Sequence, residues 1–340
     1  MILTRAPLRI SLGGGGTDFP SFYRKYGGYI LGFAIQRYVY VVLHKTSDKK
    51  YNLKYSKSES SPDLDSLENR VAAEALKFYN VPPGVEISTF SDVPESSGLG
   101  GSTSFCVALV LAIRHHLHLS CAQNTLFVDS YTIERVKAKQ PGGFQDQYFA
   151  SQGGAYEVEF SEVFFSPRRV DNEIERCLPY LRLVFAGVGD RRLHIAHAQE
   201  ARTLEGDDIM VKSLLTVKDL GRRVKQVIAD GDYDELGRIF DQHWVAKKAR
   251  DPNITTPEVD KLYTEGLKLG ATGGKLIGMG GGGYILFCGK ALPDVFPGQD
   301  LYLDKEGASI LYDSGSPVKE KSNVSNVEKN KEEIKAPVCS

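Results

Sequence analysis

The sequence lacks a long apolar run and has no excess of charge of either sign. Its most apolar segment, residues 105–113, is much shorter than the ~20 residues that a helix needs to cross a bilayer. The formal net charge of the 340 residues is −1, which gives no reason to expect nucleic acid or a membrane as partner. The opening MILTRAPLRI also lacks the basic, apolar and small-residue order of a secretory signal, so we expect a cytoplasmic protein.

Paired cysteines are missing as well. The chain has five cysteines, widely spaced and without a CxxC pair, at Cys106, Cys121, Cys177, Cys288 and Cys339. This spacing indicates reduced thiols rather than a disulfide framework. Histidines cluster at residues 115–118 and 194–197, but without paired cysteines to assist them we do not expect a zinc site.

Glycine, in contrast, is abundant and clustered. The 34 glycines exceed the usual ~7% of residues, and many stand in residues 13–16, 98–101 and 273–283. A hydrophobic content of 41% and a charged content of 25% are ordinary for a globular protein, and the chain is long enough to bury a large core. The clusters therefore indicate loops whose backbone lines a binding site rather than general looseness.

Strand-like and helical patterns occur in blocks along the chain. Alternating or β-branched runs predict strands at residues 2–12, 37–45, 84–90, 155–160, 181–187 and 284–288. Apolar periodicity predicts helices at residues 65–79, 103–117 and 123–139 and over most of residues 209–268. In the first of these, Asp65 is the expected N-cap with Glu68 completing a capping box, and the second is apolar on nearly all sides, hence buried.

This order of elements predicts an α+β fold of two lobes with a cleft between them. We assign residues 1–165 to the N-terminal lobe and residues 166–313 to the C-terminal lobe. Residues 314–340 are polar with almost no large apolar side chains, so we expect a disordered tail.

The segment SSGLGGST, residues 96–103, has the composition of a phosphate-binding loop. Its glycines let successive N–H groups turn inward, and the helix that follows adds its unpaired donors and the positive end of its dipole. The segment lacks the GxxxxGK[ST] of a Walker A loop, and Thr103 stands where the dinucleotide pattern GxGxxG needs its third glycine. A nucleotide kinase of another kind remains, the alternative being an ordinary tight turn before a buried helix.

Four segments in order resemble the superfamily of galactokinase, homoserine kinase, mevalonate kinase and phosphomevalonate kinase, the GHMP kinases. They are APLRISLGGGGTDFP, PESSGLGGSTS, GGFQDQYFAS and GGKLIGMGGGGYILF. The tetraglycine with TDFP, together with GGFQDQYFAS, is most similar to the bacterial D-glycero-D-manno-heptose 7-phosphate kinases, which phosphorylate the anomeric oxygen. The resemblance implies a ribosomal-protein-S5-like N-terminal lobe and a ferredoxin-like C-terminal lobe, with ATP as co-substrate and Mg²⁺ as cofactor.

The resemblance also implies which residues bind ligands. The residues implied to hold ATP are Gly98, Leu99, Gly100, Gly101, Ser102 and Thr103. Those implied to contact the sugar are Gly15, Gly16, Thr17, Asp18, Gly281 and Gly282, with glycines 13–16 letting the backbone come close to a polyhydroxylated substrate. Ser102 and Glu134 are the implied Mg²⁺ ligands; for Glu134 a surface ion pair with Lys137 is the alternative.

Asp146 and Arg9 are the implied catalytic residues. Asp146 would receive the proton of the sugar hydroxyl, because an anomeric hydroxyl is a poor nucleophile that a carboxylate can orient and deprotonate. Arg9 would keep Asp146 ionised and neutralise charge on the phosphoryl oxygens. Taken without the resemblance, Asp146 would be a helix cap and Arg9 a solvated residue of a strand.

Other charged residues are left open. Lys275 would either touch a phosphate or be solvated. The 7-phosphate of a heptose substrate requires a basic pocket, with Arg24, Lys25, Arg191 and Arg192 as candidates. The stretch GVGDRRLHIAHAQEAR departs from the G-(I/L)-T-R-x-A pattern expected of heptose kinases.

The resulting prediction is an ATP- and Mg²⁺-dependent kinase acting on the C1 hydroxyl of D-glycero-D-manno-heptose 7-phosphate. The alternatives are a kinase for another sugar such as L-fucose, a catalytically silent sugar-binding protein on the same fold, and a decarboxylase of the mevalonate branch. Joint retention of the catalytic and metal residues argues against the silent protein, and the hydrophilic sugar loop argues against the decarboxylase. The chain is compatible with a homodimer.

Overall fold

A computed structural model describes residues 1–189, 192–290, 292 and 296–315. Most of the strands in these residues belong to one large sheet. Its eight strands are β1 (Ile2–Gly13), β2 (Gly28–Lys45), β3 (Tyr51–Lys54), β4 (Ser58–Ser61), β5 (Val85–Ser91), β6 (Ala155–Phe160), β7 (Phe165–Arg169) and, from the far end, β11 (Ser309–Asp313). The strand order is β11-β1-β2-β5-β3-β4, and β6 and β7 extend the sheet beside the first part of β2.

The 18-residue strand β2 organises this sheet. It pairs with β1 along most of its length, with β6 over residues 28–33 and with β5 over residues 39–45. These pairings are antiparallel, whereas β3 and β5 run parallel. The β-branched and aromatic side chains of residues 37–45 suit a pleated, half-buried surface, and the strand predicted there is confirmed.

Five helices of the first half of the chain accompany the sheet. They are α1 (Pro20–Tyr26), α2 (Arg70–Phe78), α3 (Gly101–His116), α4 (Gln123–Tyr131) and α5 (Gln145–Gln152). Helix α3 packs on β1 and β2 and is buried over residues 103–104 and 106–114, as its apolar sequence predicted. The Ser104 hydroxyl donates to the Pro7 carbonyl at 2.8 Å, which ties the start of α3 to β1.

A smaller sheet and five further helices form the second lobe. The sheet has the order β8-β10-β9, with β8 (Leu181–Phe185), β9 (Gly273–Leu276) and β10 (Tyr284–Cys288). The helices are α6 (Asp171–Cys177), α7 (Arg192–Leu204), α8 (Asp208–Asp230), α9 (Tyr233–Lys248) and α10 (Pro257–Lys268). The long helical region predicted over residues 209–268 is therefore confirmed, with breaks where GDYDE and RDPNITTPE stand.

The two lobes share a continuous apolar core. Leu8 of β1 and Phe33 of β2 belong to the same buried cluster as Leu220 of α8, Phe240 of α9 and Leu286 of β10. Because apolar burial is the main stabilising term in folding, this shared cluster fixes the second lobe against the first. The lobes consequently hold residues from distant parts of the chain together at the edge of this core.

The sequence assigned residues 166–313 to the second lobe. The strands at the two ends of this range, β7 and β11, instead belong to the large sheet of the first lobe. Strand β7 pairs with β6, and β11 pairs antiparallel with β1. Without β11, the backbone groups along that edge of β1 would be unpaired. Pairing continues to Ser314, whose N–H donates to the Met1 carbonyl, so the predicted tail does not begin at residue 314. The remainder of that predicted tail, residues 316–340, lies outside the described residues.

The helix predicted over residues 65–79 is shorter than expected. A 3₁₀ turn at Leu64–Ser66 comes first, and α2 begins only at Arg70. Its N-cap is Asn69, whose side-chain oxygen accepts from Ala72 N at 3.0 Å, so the assignment of Asp65 as N-cap was wrong. The Glu59 carboxylate accepts from the backbone N–H groups just before α2 and holds that segment extended instead of helical.

The predicted helix over residues 123–139 changes its winding partway. Helix α4 is followed by a π-helical turn at Thr132–Lys137 that carries Glu134. A π turn shifts the direction of the side chains that follow it and is frequent at functional sites.

Among the described helices, none has both the length and the apolar content to cross a membrane. The four described cysteines are free thiols.

Candidate active site

Two of the four glycines in the first loop serve internal packing. A Cβ at Gly13 would lie 2.5 Å from Cα of Gly221 in α8, and one at Gly14 would lie 1.7 Å from the Tyr29 carbonyl oxygen. The sequence suggested that the whole tetraglycine makes room for a substrate. For Gly13 and Gly14 that interpretation is corrected, because the protein's own backbone occupies the space. Gly15 and Gly16 line a cavity between the lobes.

Thr17 is turned away from this cavity. Its hydroxyl oxygen lies 2.8 Å from the carbonyl oxygens of both Gly14 and Tyr29, which share its single proton, and its side chain is fully buried. The structure therefore uses Thr17 to close the glycine loop and does not bring it to the cavity wall as a sugar contact.

Asp18 lines the cavity and is held by the start of α5. Its carboxylate accepts from the backbone N–H of Gln145 at 3.1 Å and from the Gln145 side-chain amide at 3.0 Å. A Cβ at Gly143 would lie 2.0 Å from Asp18 Oδ2, so only glycine permits this approach. Burial, and then the charge of Asp146, raise the pKa of Asp18 from 3.8 to about 6. At neutral pH Asp18 is mainly ionised and can accept hydrogen bonds from hydroxyl groups.

Asp146, near the start of α5, forms a bidentate pair with Arg9 of β1. Arg9 Nε donates to Asp146 Oδ1 at 2.7 Å and Arg9 Nη2 donates to Oδ2 at 2.9 Å. Arg9 Nη1 donates to the Gly98 carbonyl at 2.7 Å, so one guanidinium joins the carboxylate to the second glycine loop. Such planar, charge-assisted contacts fix geometry strongly. Arg9 is buried at the cavity rather than solvated at a strand edge.

The second glycine loop approaches Asp146 closely and ends in an uncapped helix. Gly98 and Gly100 have φ values of +85° and +86°, and a Cβ at Gly100 would lie 3.5 Å from both Asp146 Oδ2 and Arg9 Cγ. Gly100 is the N-cap of α3, and no side chain caps that helix. The first N–H groups of α3 are thus available to an anion beside Asp146.

Glu134 lies next to this loop because of the π-helical turn. Its carboxylate accepts from the Thr103 hydroxyl at 2.8 and 3.0 Å and from the Gln147 amide at 2.8 Å, and Ser102 Oγ lies 3.4 Å away. The ion-pair partner of Glu134 is Arg135. Glu134 is buried, so the alternative of a surface ion pair with Lys137 is wrong.

The third glycine loop packs against the second. A Cβ at Gly278, where φ is +79°, would lie 2.6 Å from the Gly98 carbonyl oxygen. Gly281 and Gly282 instead face the second lobe: Gly281 N donates to the Ile254 carbonyl, and a Cβ at Gly282 would meet Gly189. The structure brings Gly278 and Met279, not these two predicted sugar contacts, to the cavity wall.

The cavity encloses about 730 Å³ of empty space, part of it open to solvent. Of the predicted site residues, those in its wall are Arg9, Gly15, Gly16, Asp18 and Asp146. Residues 98–103 adjoin it through the contact of Gly100 with Arg9 and Asp146.

Several residues of this wall were not predicted from the sequence. They are Arg135, Gln145, Gln199, His243, Lys247 and Arg250. None stands in a glycine-rich motif except Gln145, and all six lie on helices or at a helix end, where the sequence gives no sign of which face meets the cavity. Lys275 is also in the wall; it is buried and donates to the Leu12 carbonyl at 2.5 Å, so it is not a solvated lysine.

Two of the four basic residues proposed from the sequence for a substrate phosphate lie away from this cavity. Arg24 and Lys25 are exposed on α1 and are absent from the cavity wall. Arg191 and the side chain of Arg192 lie outside the described residues.

Comparison with known proteins places this arrangement in a family. The profile of the GHMP kinases N terminal domain matches residues 67–154, and that of the GHMP kinases C terminal matches residues 223–292. A D-glycero-alpha-D-manno-heptose 7-phosphate kinase of Campylobacter jejuni subsp. jejuni is 30% identical over 305 residues, covering 84% of this chain and 88% of the relative. The chain therefore belongs to the GHMP kinases, and the family predicted from the four motifs is confirmed.

Two further similar proteins have lower sequence identity. A crystal structure of a D-glycero-D-manno-heptose 1-phosphate kinase from Bacteroides thetaiotaomicron has a TM-score of 0.70 at 22% identity, covering 92% of this chain and 99% of that one. A bifunctional fucokinase/GDP-fucose pyrophosphorylase of Arabidopsis thaliana is 23% identical over 319 residues, which cover 84% of this chain and 29% of the relative. The predicted two-lobe α+β fold is confirmed. The protein is a kinase that transfers a phosphoryl group from ATP, the family's co-substrate, to a hydroxyl group.

Proposed function

We propose that this kinase phosphorylates the anomeric C1 hydroxyl of D-glycero-D-manno-heptose 7-phosphate, giving the 1,7-bisphosphate for nucleotide-activated heptose. The observation that carries the proposal is the contact between the Asp146–Arg9 pair and the loop at residues 98–102, with Asp18 in the same cavity. A carboxylate, a phosphate-binding loop and a hydroxyl-binding acidic residue are the parts that phosphoryl transfer to a sugar requires. The 30% identity to the heptose 7-phosphate kinase supports the choice of sugar.

In this proposal Asp146 orients the C1 hydroxyl and takes its proton as the phosphoryl group is transferred. Arg9 holds the carboxylate by two hydrogen bonds, so the acceptor oxygen is positioned before the sugar arrives. The backbone N–H groups at the start of α3 hold the phosphates of ATP. Asp18 accepts hydrogen bonds from the sugar hydroxyls, and its own position depends on Gln145, the residue preceding Asp146.

Ser102 and Glu134 fit a magnesium ion. They offer a hydroxyl and a carboxylate oxygen 3.4 Å apart, the kinds of ligand that Mg²⁺ takes. Two protein ligands suffice, because Mg²⁺ usually keeps several waters and also binds substrate phosphates. When bound, the ion neutralises charge on the phosphates of ATP. Thr103, Gln147 and Arg135 hold the Glu134 carboxylate in place for it.

The test is a coupled ADP-release assay over a panel of sugars, with Mg²⁺ and ATP. The panel contains D-glycero-D-manno-heptose 7-phosphate, the unphosphorylated heptose, L-fucose, galactose and mevalonate. We expect the highest kcat/KM with the heptose 7-phosphate and a product phosphorylated at C1 by phosphorus NMR. Preference for L-fucose would replace the proposed substrate with the one named for the plant relative.

Asp146→Asn is the control that attributes the activity to this site. Asn keeps the shape of the side chain but cannot take a proton, so we expect kcat to fall about 100- to 10,000-fold with ATP binding nearly unchanged. Binding of ATP is measured by calorimetry in the same preparation. Unaltered turnover in this variant would remove Asp146 from the mechanism.

A further inference from the structure

Two cationic side chains, far along the chain from Arg9 and Asp146, are buried in the cavity wall. Arg250 follows the end of α9 and is 4% exposed, and Lys275 on β9 is 2% exposed. Among the described residues neither forms an ion pair with a carboxylate. Burial lowers the pKa of Arg250 to about 9 and that of Lys275 to about 7.

The polar contacts of these cations are few and neutral. Arg250 Nε donates to the Ser213 hydroxyl at 2.8 Å and Nη1 donates to the Gln199 side-chain oxygen at 3.2 Å, while Nη2 has no hydrogen-bond partner in the part of the chain that the structure describes. Lys275 donates to the Leu12 carbonyl. Burial, and then the charges of Lys275 and Arg250, lower the pKa of His243 well below its usual value, so its ring is neutral. Neither ring nitrogen has a hydrogen-bond partner among the described residues. The wall thus contains buried donors that the protein itself leaves unsatisfied.

A buried cation without a counter-charge is costly, and proteins normally pair it. Arg114 shows the ordinary structural solution in this chain, since it is equally buried but is paired with Asp129 and Tyr79. Arg250 and Lys275 differ because they face a solvent-connected cavity. Their missing counter-charge is accounted for if a ligand brings it.

Arg250 lies next to the first glycine loop, residues 13–16, so a ligand that supplies the counter-charge would lie beside that loop. A Cβ at Gly16 would lie 3.1 Å from Arg250 Nη1 and 3.0 Å from the Gln199 amide nitrogen. Lys275 contacts Leu12, the residue before the same loop. The second glycine loop, where ATP phosphates are expected, is contacted by Arg9 instead. An anion held by Arg250 therefore lies beside the sugar-binding glycines.

We propose that Arg250, together with Lys275 and the Gln199 amide, binds an anionic group that the sugar already carries before the reaction. The group is a phosphate on a carbon remote from the hydroxyl that Asp146 activates, and it makes the enzyme select phosphorylated sugars over neutral ones. Arg250 is the residue that determines this selectivity, since it lies in the cavity wall, its Nη2 has no hydrogen-bond partner among the described residues, and a guanidinium matches phosphate geometry. This inference rests on the proposed sugar kinase function but assigns a site that the family motifs do not contain.

The experiment compares Arg250→Gln with the wild type on three probes: D-glycero-D-manno-heptose 7-phosphate, the same heptose without phosphate, and ATP. We expect kcat/KM for the phosphorylated sugar to fall on the order of 100-fold, the usual cost of removing one partner of a buried charge pair. The value for the unphosphorylated heptose and the KM for ATP should change little. The matched control is Arg238→Gln, which makes the same change on the exposed side of α9, where Arg238 pairs with Glu235.

The outcomes separate the two proposals. An equal loss on both sugars, or a rise confined to the KM for ATP, overturns the assignment of Arg250 while the sugar kinase function stands. Absence of turnover on every sugar in the wild type overturns the proposed function. The anion site is then tested alone by thermal shift with inorganic phosphate in saturating ADP, which occupies the phosphate-binding loop. Phosphate should then stabilise the wild type and Arg238→Gln but not Arg250→Gln.

A second variant covers the case in which Arg250→Gln does not fold. Arg250→Lys keeps the charge but loses the planar fork, so the preference for the phosphorylated sugar should fall while folding, checked by circular dichroism, is retained. Unchanged preference in Arg250→Lys together with an unchanged phosphate-induced shift overturns the proposal.

Discussion

At the scale of single residues, the site combines two carboxylates with different tasks. Asp146 is paired with Arg9, whereas Asp18 is buried with amide donors from Gln145 and forms no ion pair with any described arginine. A buried carboxylate near a second one resists ionisation. Asp18 is therefore a residue whose charge costs stability, which is consistent with a role in binding rather than in folding.

Asp18→Asn tests this cost through its pH dependence. The pKa of Asp18 is raised from 3.8 to about 6, so between these values the folded state binds a proton that the unfolded state releases. Stability then falls as pH rises through this window and is constant above it, a difference of roughly 2–3 kcal/mol. Asn removes the charge, accepts from the backbone N–H of Gln145 through its single oxygen, and can donate through its amide nitrogen to the Gln145 side-chain oxygen once that amide turns over. Above pH 6 we therefore expect the variant to be more stable than the wild type and its KM for the sugar to be higher.

The measurement is urea unfolding of both proteins from pH 4 to pH 8. Asp230→Asn, at the exposed end of α8, supplies the same change of charge at the surface. Parallel stability curves for Asp18→Asn and the wild type would contradict the raised pKa.

At the scale of elements, the active site is an assembly of loops whose close contacts only glycine permits. Gly278 lies against the Gly98 carbonyl, and Gly143 lies against the Asp18 carboxylate. The π-helical turn after α4 aims Glu134 at Thr103, on the first turn of α3. Each loop is held in place by the other loops and by the neighbouring helices and strands. A substitution in one loop should therefore change how tightly the neighbouring loop binds its ligand.

Gly278→Ala is predicted to weaken ATP binding. The added Cβ would lie 2.6 Å from the Gly98 carbonyl, so the phosphate-binding loop must shift, and the positive φ adds strain of about 1–3 kcal/mol. We expect the KM for ATP to rise more than the KM for the sugar. Gly231→Ala is the matched control, because its φ of +73° imposes similar strain while nothing lies within 4 Å of the added Cβ. If both variants lose stability equally and keep the wild-type KM for ATP, the contact between the loops has no functional role.

At the scale of the whole molecule, the last described strand pairs with the first strand of the chain. Strand β11 pairs with β1 and Ser314 bonds to Met1, so residues more than 300 positions apart complete one sheet. Strand β1 also carries Arg9 and leads into the sugar loop. The last described strand consequently supports the strand on which the site is built.

Two truncations test this support. A chain ending at Gly315 should keep the melting temperature and activity of the full protein, as the sequence predicted for removal of the tail. A chain ending at Gly307 loses β11 and leaves the edge of β1 unpaired, so we expect a lower melting temperature and lower activity. Differential scanning calorimetry and the ADP-release assay measure both. Equal melting temperatures for the two chains would show that β11 adds nothing to the stability of β1.

Four motifs in order were enough to predict the family, and local patterns were enough to predict the main strands and helices. The motifs also predicted that Arg9, Asp146 and the loop at residues 98–103 lie together, although they are far apart in the chain. Local propensity also identified the buried helix α3, whose apolar faces leave no solvent side. It missed the start of α2, where Asn69 and the distant Glu59 decide the cap. Three features follow only from how the chain folds: which glycines serve packing, how β11 pairs with β1, and which buried cations line the cavity. Those outcomes depend on faces of helices brought together by the shared core, and a face that meets a cavity has the same local sequence as one that meets water.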